Sequence, residues 1–249
     1  VGVGGNIGTP ALDLLNKGHD LYVLELSSFQ LETLDSLSPV AAVLLNISED
    51  HMDRYDGIDA YAQTKAHIYQ NAKYSIVNRD DGRVSSTKTS GKTIGFSLSK
   101  PEHANDYGLI TSHNQDWLVK GQEKLMPVKS MAMVGRHNIA NALAALALGD
   151  AAGLDLNAML QALKSFAGLP HRTQFIRDLN GVRFYNDSKA TNVGACIAAL
   201  TGLQSNDGSL TLNIMGGDCK QADFAEITAV IAQTCRVIIL IGKDAAQIK

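Results

Sequence analysis

The chain has 249 residues, 45% hydrophobic and 19% charged, with a formal net charge of -3 at pH 7. That length allows one large or two modest domains, each able to bury its own core, and the composition is that of an ordinary soluble globular protein. The slightly acidic balance argues against a nucleic-acid surface, and no apolar run approaches the roughly 20 residues that span a bilayer.

Val1 enters at once a glycine-rich turn, Gly4–Gly8, without an initiator Met, and no signal peptide is expected from this pattern. Thr9 and Pro10 read as a cap and first turn for a helix over Ala11–Asn16, which Gly18 ends. Two strand-like runs follow, Leu21–Leu26 and Val40–Ile47, each leading into acidic and polar residues. A helix is expected over Ile58–Ala72, then a strand at Tyr74–Asn78 and a polar loop at Ser85–Gly91. Leu109–Thr111 with Trp117–Val119 reads as a hairpin, and helical signal returns over Asn138–Asp150 and Leu156–Phe166. Pro170 marks the best boundary, because proline blocks helix continuation. Beyond it come a hairpin centred on Asn180 and Gly181, a helix over Val193–Leu200, a strand at Leu210–Met215, a helix from Phe224 and a strand at Val237–Ile241. The class is therefore α/β. The chain divides into 1–169, a mostly parallel sheet flanked by helices with a small antiparallel portion, and 170–249, a second α/β unit. The pattern breaks off early in a helix at Ala245–Lys249, so the chain reads as a fragment.

Cys196, Cys219 and Cys235 are far apart and form no C-x-x-C pair, which fits a reducing cytoplasm. Glu25 and His51 lie at the ends of consecutive strands, where open parallel sheets bind ligands. Together they offer oxygen and nitrogen donors to a divalent metal; separately, each is compatible with a solvated turn. Lys65 shares a helix face with Ile58, Tyr61, Ile68 and Ala72. It either snorkels from that face or serves the active site. Asn138 and Asn141 open a helix three positions apart. One is accounted for as a helix cap, and the pair suits the donor–acceptor edge of a purine. Asn186–Asn192 contains ordinary turn residues, among which Asp187 suits ribose hydroxyls and Lys189 an anion. Lys220 follows a Gly-Gly turn, where it would neutralise a carboxylate.

In order and spacing, Gly4–Gly8, Glu25–Leu31, Asn46–Tyr55, Gly135–Asn141, Leu169–Arg172, Asn186–Asn192 and Gly216–Phe224 resemble the ATP-dependent Mur ligases of peptidoglycan synthesis. The likeness covers essentially the whole chain, and Glu25–Leu31 with Gly216–Phe224 points to the D-glutamate-adding branch. It implies a central ATP-binding domain over 1–169 and an incomplete Rossmann-like domain over 170–249. The implied reaction joins D-glutamate to UDP-N-acetylmuramoyl-L-alanine through an acyl phosphate, using ATP and Mg2+. By motif, Glu25 and His51 would bind magnesium, and Lys65, once carbamylated, would hold a second ion; these three form the catalytic set. Asn138, Asn141, Arg172, Asp187 and Lys189 would contact the nucleotide. Asn6 and Ser27 would lie near the uridine-nucleotide substrate or the reacting centre, while Thr191 and Lys220 would hold a carboxylate of D-glutamate. A cytoplasmic monomer, without nucleic acid or membrane insertion, is expected. The sequence contains no Gly-x-x-x-x-Gly-Lys-Ser/Thr loop for the ATP phosphates, so this piece alone is expected to be inactive. The alternatives are a folylpolyglutamate-synthetase-like ligase and a non-catalytic nucleotide-binding module.

Overall fold

The computed structural model describes residues 1–133, 135–204, 208–218 and 223–249. Contacts divide the chain into two compact units, Val1–Ile47 with Met52–Gly95, and Ser48–His51 with Phe96–Lys249. It is an α/β protein.

In the first unit, β1 (Gly2–Gly5) pairs in parallel with β2 (Tyr22–Glu25), which sets Gly5 opposite Glu25. Gly5 has φ 111°, and a Cβ there would stand 2.3 Å from the Glu25 carbonyl oxygen, so only glycine fits. Thr9 is not the cap expected of it. Its carbonyl accepts from Gly5 N at 2.9 Å, closing the Asn6–Thr9 turn on itself, and Pro10 leads into α1 (Ala11–Leu14). The helix tightens to a 3-10 turn at Leu15–Lys17, and Gly18 ends it in the left-handed conformation.

α2 (Ser28–Leu31) follows β2, and β3 (Ala41–Leu44) pairs in parallel with β4 (Tyr74–Asn78). Between them α3 (Ile58–Ala66) ends sooner than expected. It passes into a 3-10 turn at His67–Tyr69, and Asn71 turns left-handed at φ 58°. The reversal is forced by β4, which starts at Tyr74. Ile68 and Ala72 thus reach the core from the tightened turn and the following loop. Leu44, Ile47, Tyr61, Tyr69, Val77 and Val84 are buried with Ala72. Tyr69 bridges the paired strands, donating to Ile76 O at 2.7 Å and accepting from Leu44 N at 3.1 Å. Burial pushes its phenol far above the usual tyrosine range. α4 (Gly82–Ser85) and β5 (Lys92–Phe96) complete the unit, except that Phe96 belongs to the second.

The second unit opens with an antiparallel meander, β6 (Tyr107–Ser112), β7 (Gln115–Lys120) and β8 (Glu123–Pro127). α5 (Arg136–Ala151) buries Ala142, Leu143, Leu146 and Ala147, and α6 (Leu156–Ser165) follows. β9 (Gln174–Leu179) and β10 (Val182–Asn186) form the expected hairpin, with Asn180 and Gly181 both at positive φ as a type I′ turn requires. α7 (Val193–Gly202), β11 (Thr211–Gly216), α8 (Ala225–Thr234), β12 (Cys235–Ile241) and α9 (Ala245–Ile248) complete the unit, with β11 and β12 parallel.

Candidate active site

In the first unit the structure brings Asn6 to Glu25. Asn6 N donates to the Glu25 carbonyl at 2.7 Å, and its side-chain amide donates to Glu25 Oε1 at 3.3 Å. Glu25 is the last residue of β2, with an exposed carboxylate. Two residues later Ser27 forms a capping box: its hydroxyl accepts from Gln30 N at 3.3 Å, and Gln30 Oε1 accepts from Ser27 N at 2.9 Å. The resemblance would set Ser27 near the uridine-nucleotide substrate or the reacting centre; in the structure its hydroxyl starts α2.

Lys65 is half-buried, with Nζ 5.2 Å from the centre of the Tyr61 ring. Tyr61 packs on Tyr55, Tyr55 stacks with Phe29, and Arg54 lies over Phe29 at 5.0 Å. Glu32 locks this row: its carboxylate pairs with Arg54 and accepts from Tyr55 Oη at 2.6 Å. Those bonds hold the Glu32 carboxyl below the usual carboxylate range. The row went unforeseen, although Arg54 and Tyr55 stand close after His51 in a motif already singled out.

In the second unit His51 takes a left-handed backbone, φ 57°, uncommon for a residue with a side chain. Its amide donates to Asp50 Oδ1 at 3.0 Å, and its Nε2 lies 3.8 Å from Asp50 Oδ2. The Ser48–His51 segment sits against the start of α7. A Cβ on Gly194 would come within 3.1 Å of Ser48 Cβ, so glycine permits the approach. Asn192 caps α7 through Ala195 N at 2.8 Å.

The segment Leu169–Thr173 is knitted to 186–189. Asp187 Oδ1 accepts from Thr173 N at 2.6 Å and from Thr173 Oγ1 at 3.4 Å. Lys189 N donates to His171 O at 3.0 Å, and the Asn186 amide meets His171 Nδ1 at 2.8 Å. Gly168, His171 and Thr173 all have positive φ, and for a β-branched residue φ 44° is a strained outlier. Arg172, Lys189 and Thr191 are exposed beside this lacing. Asp187 was foreseen; its Thr173 partner, just past the recognised motif, was not.

Asn138 and Asn141 lie inside α5, because the N-cap is Gly135 at φ 98°. The expectation that one of them caps the helix is therefore corrected: both amides sit one turn apart, Asn138 half-buried and Asn141 exposed. His137, between them and the cap, is half-buried, and burial lowers its pKa. Lys220 lies outside the described residues. A cavity of about 470 Å³ lined by Lys100, Pro101, His103 and Gly121 contains none of these residues.

Among the described residues no group of three His, Cys, Asp or Glu side chains forms a metal cluster. The donors still suit magnesium, which keeps several waters and takes one or two carboxylates alongside substrate phosphates. Glu25 offers such a carboxylate, with Asn6 on one oxygen. Lys65 as an ammonium has no lone pair, so only its carbamylated form is a ligand.

The Mur ligase middle domain model matches residues 6–149, and the Mur ligase, glutamate ligase domain model matches residues 171–249. The chain belongs to the Mur ligase family. Curated relatives include the UDP-N-acetylmuramoylalanine--D-glutamate ligase of Nitrosococcus oceani, 50% identical across 99% of this chain and 54% of that protein. That of Pseudomonas fluorescens is 51% identical across 100% of this chain and 55% of its own length. This Mur ligase chain thus spans about half the length of the curated relatives it matches. MurF from Acinetobacter baumannii shares the fold at a TM-score of 0.67 with 19% identity, over 91% of this chain and 53% of that one.

Proposed function

We propose that the protein to which this chain belongs joins D-glutamate to UDP-N-acetylmuramoyl-L-alanine, using ATP, in peptidoglycan precursor synthesis. The observation that carries this is 50–51% identity, across nearly the whole chain, to ligases named for that reaction. The free carboxylate of the substrate's L-alanine residue attacks the γ-phosphorus of ATP and ADP leaves. The amine of D-glutamate then attacks the acyl phosphate, and the tetrahedral intermediate collapses to an amide and inorganic phosphate. Bringing two anions together requires countercharge and exclusion of water.

Residues 1–169 form the ATP-binding domain and 170–249 the Rossmann-like domain; the two family models, ending at 149 and resuming at 171, support that division. Asn138 and Asn141 read the purine edge, Asp187 accepts from ribose hydroxyls, and Arg172 and Lys189 face anionic oxygens. Thr191 and Lys220 hold a D-glutamate carboxylate, with Asn6 and Ser27 towards the muramoyl nucleotide. Glu25, His51 and carbamylated Lys65 would hold magnesium, which supplies charge neutralisation between the reacting anions. The strained Leu169–Thr173 connection, laced to Asp187, supports a hinge there. No helix among the described residues is long and apolar enough to cross a membrane.

Phosphate release by the full-length protein tests the assignment. It should require ATP, D-glutamate and the muramoyl-alanine nucleotide together; release with a folate and L-glutamate instead would replace it with the folylpolyglutamate reading. The 249-residue chain alone, without the Gly-x-x-x-x-Gly-Lys loop, should give no turnover.

A further inference from the structure

His137 stands on the first turn of α5 with its imidazole wedged between two glycines. A Cβ built on Gly202, the last residue of α7, would lie 2.7 Å from His137 Nδ1 and 2.9 Å from Cε1. One built on Gly135 would lie 3.0 Å from Cε1 and 3.3 Å from the Gly202 carbonyl oxygen. The ring therefore fills the space that side chains at both positions would need. Glycine is a poor helix former, and Gly202 shows no positive φ that would call for it. Room for the imidazole is what it provides.

The ring is also tied across. It hydrogen-bonds the Ala198 backbone on α7, while its buried Nδ1 meets no hydrogen-bond partner among the described residues. One nitrogen thus fastens α5 to α7, and the other edge is matched to the glycine socket. Asp187, at the turn leading into α7, acts electrostatically on the same ring.

We propose that His137 is a positioning residue for the nucleotide site. By seating in the Gly135–Gly202 socket and bonding Ala198, it sets Asn138 and Asn141 on α5 against α7 and the Asp187 turn that leads into it. This role rests on the nucleotide-contact assignment of Asn138, Asn141 and Asp187. It predicts that damage to the socket weakens ATP binding without touching the other substrates.

The test uses full-length protein, with affinity for a non-hydrolysable ATP analogue measured beside steady-state kinetics. His137→Ala should weaken analogue binding and raise the KM for ATP about tenfold, with kcat within about threefold and the KM for D-glutamate unchanged. Gly202→Ala should do the same by displacing the ring. The double variant should be no worse than the worse single one, because removing the imidazole leaves room for the new methyl group. His137→Gln, whose amide can still donate to Ala198, should recover part of the affinity. Additive losses in the double variant, or equal loss of kcat and of every substrate's KM, would overturn the role. So would unchanged analogue affinity in folded variants of a protein that binds ATP. If the wild-type protein itself binds no ATP analogue, the nucleotide assignment falls and takes this role with it.

Discussion

The turn after β2 and the turn after β10 both carry a strand-end carboxylate into a helix, but they are held in different ways. Glu25 is placed by near neighbours: parallel pairing with Gly5, an amide from Asn6, and a capping box closed by Ser27 and Gln30. Asp187 is placed by a distant segment, since its partner is Thr173, itself held at φ 44°. The first turn would keep its shape if a charge near it were removed. The second stores backbone strain that the carboxylate itself restrains. Side chains around Glu25 are therefore separable into chemistry and scaffold, whereas Asp187, as the proposed ribose contact, would be both.

The largest expected effect tests the separable side. Lys65→Ala in the full-length protein should cut turnover by roughly 10²–10³-fold, the cost of losing one charge-stabilising group. Its stability should fall by no more than about 1–2 kcal/mol, because Lys65 is half-buried over the Tyr61 ring, a cation–π arrangement of modest worth. Bicarbonate should not restore activity. Full turnover in this variant would return Lys65 to a lysine snorkelling over an aromatic ring.

Asp187 should behave otherwise. Asp187→Ala removes the acceptor for Thr173 N and should cost about 1–3 kcal/mol of stability as well as activity. Asp187→Asn keeps an acceptor oxygen, so it should retain most of the stability and lose turnover. Urea denaturation of the two variants decides the matter: equal midpoints for both and the wild type would mean that Thr173 needs no restraint.

What the sequence disclosed divides along the same line. Signals that act locally were readable: the strand Tyr74–Asn78, the Asn180–Gly181 hairpin and the glycine stop at Gly18 all appear as expected. The candidate residues Glu25, Lys65, Asn138, Asn141 and Asp187 were named from residue type and place in the pattern. The missing parts depend on contacts distant in sequence. Nothing near Thr173 announces that Asp187 will accept from its amide, and nothing near Gly202 announces His137. The length of α3 was overestimated because apolar spacing continues through Ala72, while the chain must turn to begin β4. One of Asn138 and Asn141 reads as a cap because asparagine favours that place, but Gly135, free to take φ 98°, occupies it.

A smaller effect sharpens the local side. Ser27→Ala opens the capping box and should cost about 1 kcal/mol, read as a shift in the urea midpoint. A much larger loss of turnover than of stability would show that the hydroxyl also meets substrate.

His137 gives the non-local side a pH signature. Burial lowers its folded-state pKa from the ordinary 6.5, opposed by Asp187 and by the bond to Ala198. Its contribution to stability is therefore complete above about pH 6.5 and declines as pH falls towards the folded value, because the unfolded chain takes up the proton first. Melting midpoints between pH 7.5 and 5.5 should fall more steeply in the wild type than in His137→Gln. Parallel slopes would show that the ring is no drier in the folded state than outside it.

The smallest effect belongs to the hairpin between the two laced segments. Asn180 has φ 53° and Gly181 φ 80°, and asparagine already tolerates the left-handed region. Asn180→Gly removes a small steric cost and adds backbone freedom to the unfolded chain, so the terms nearly cancel. Stability should move by less than about 0.5 kcal/mol, and the KM for ATP should not move at all. The turn lies beyond Arg177 on one strand and Arg183 on the other, whereas Thr173 and Asp187 meet at the opposite, open end of the same hairpin. A marked change in ATP affinity from Asn180→Gly would mean that strain at Thr173 is carried along both strands. It would move Asp187 from a latch between two segments to one end of a continuous spring.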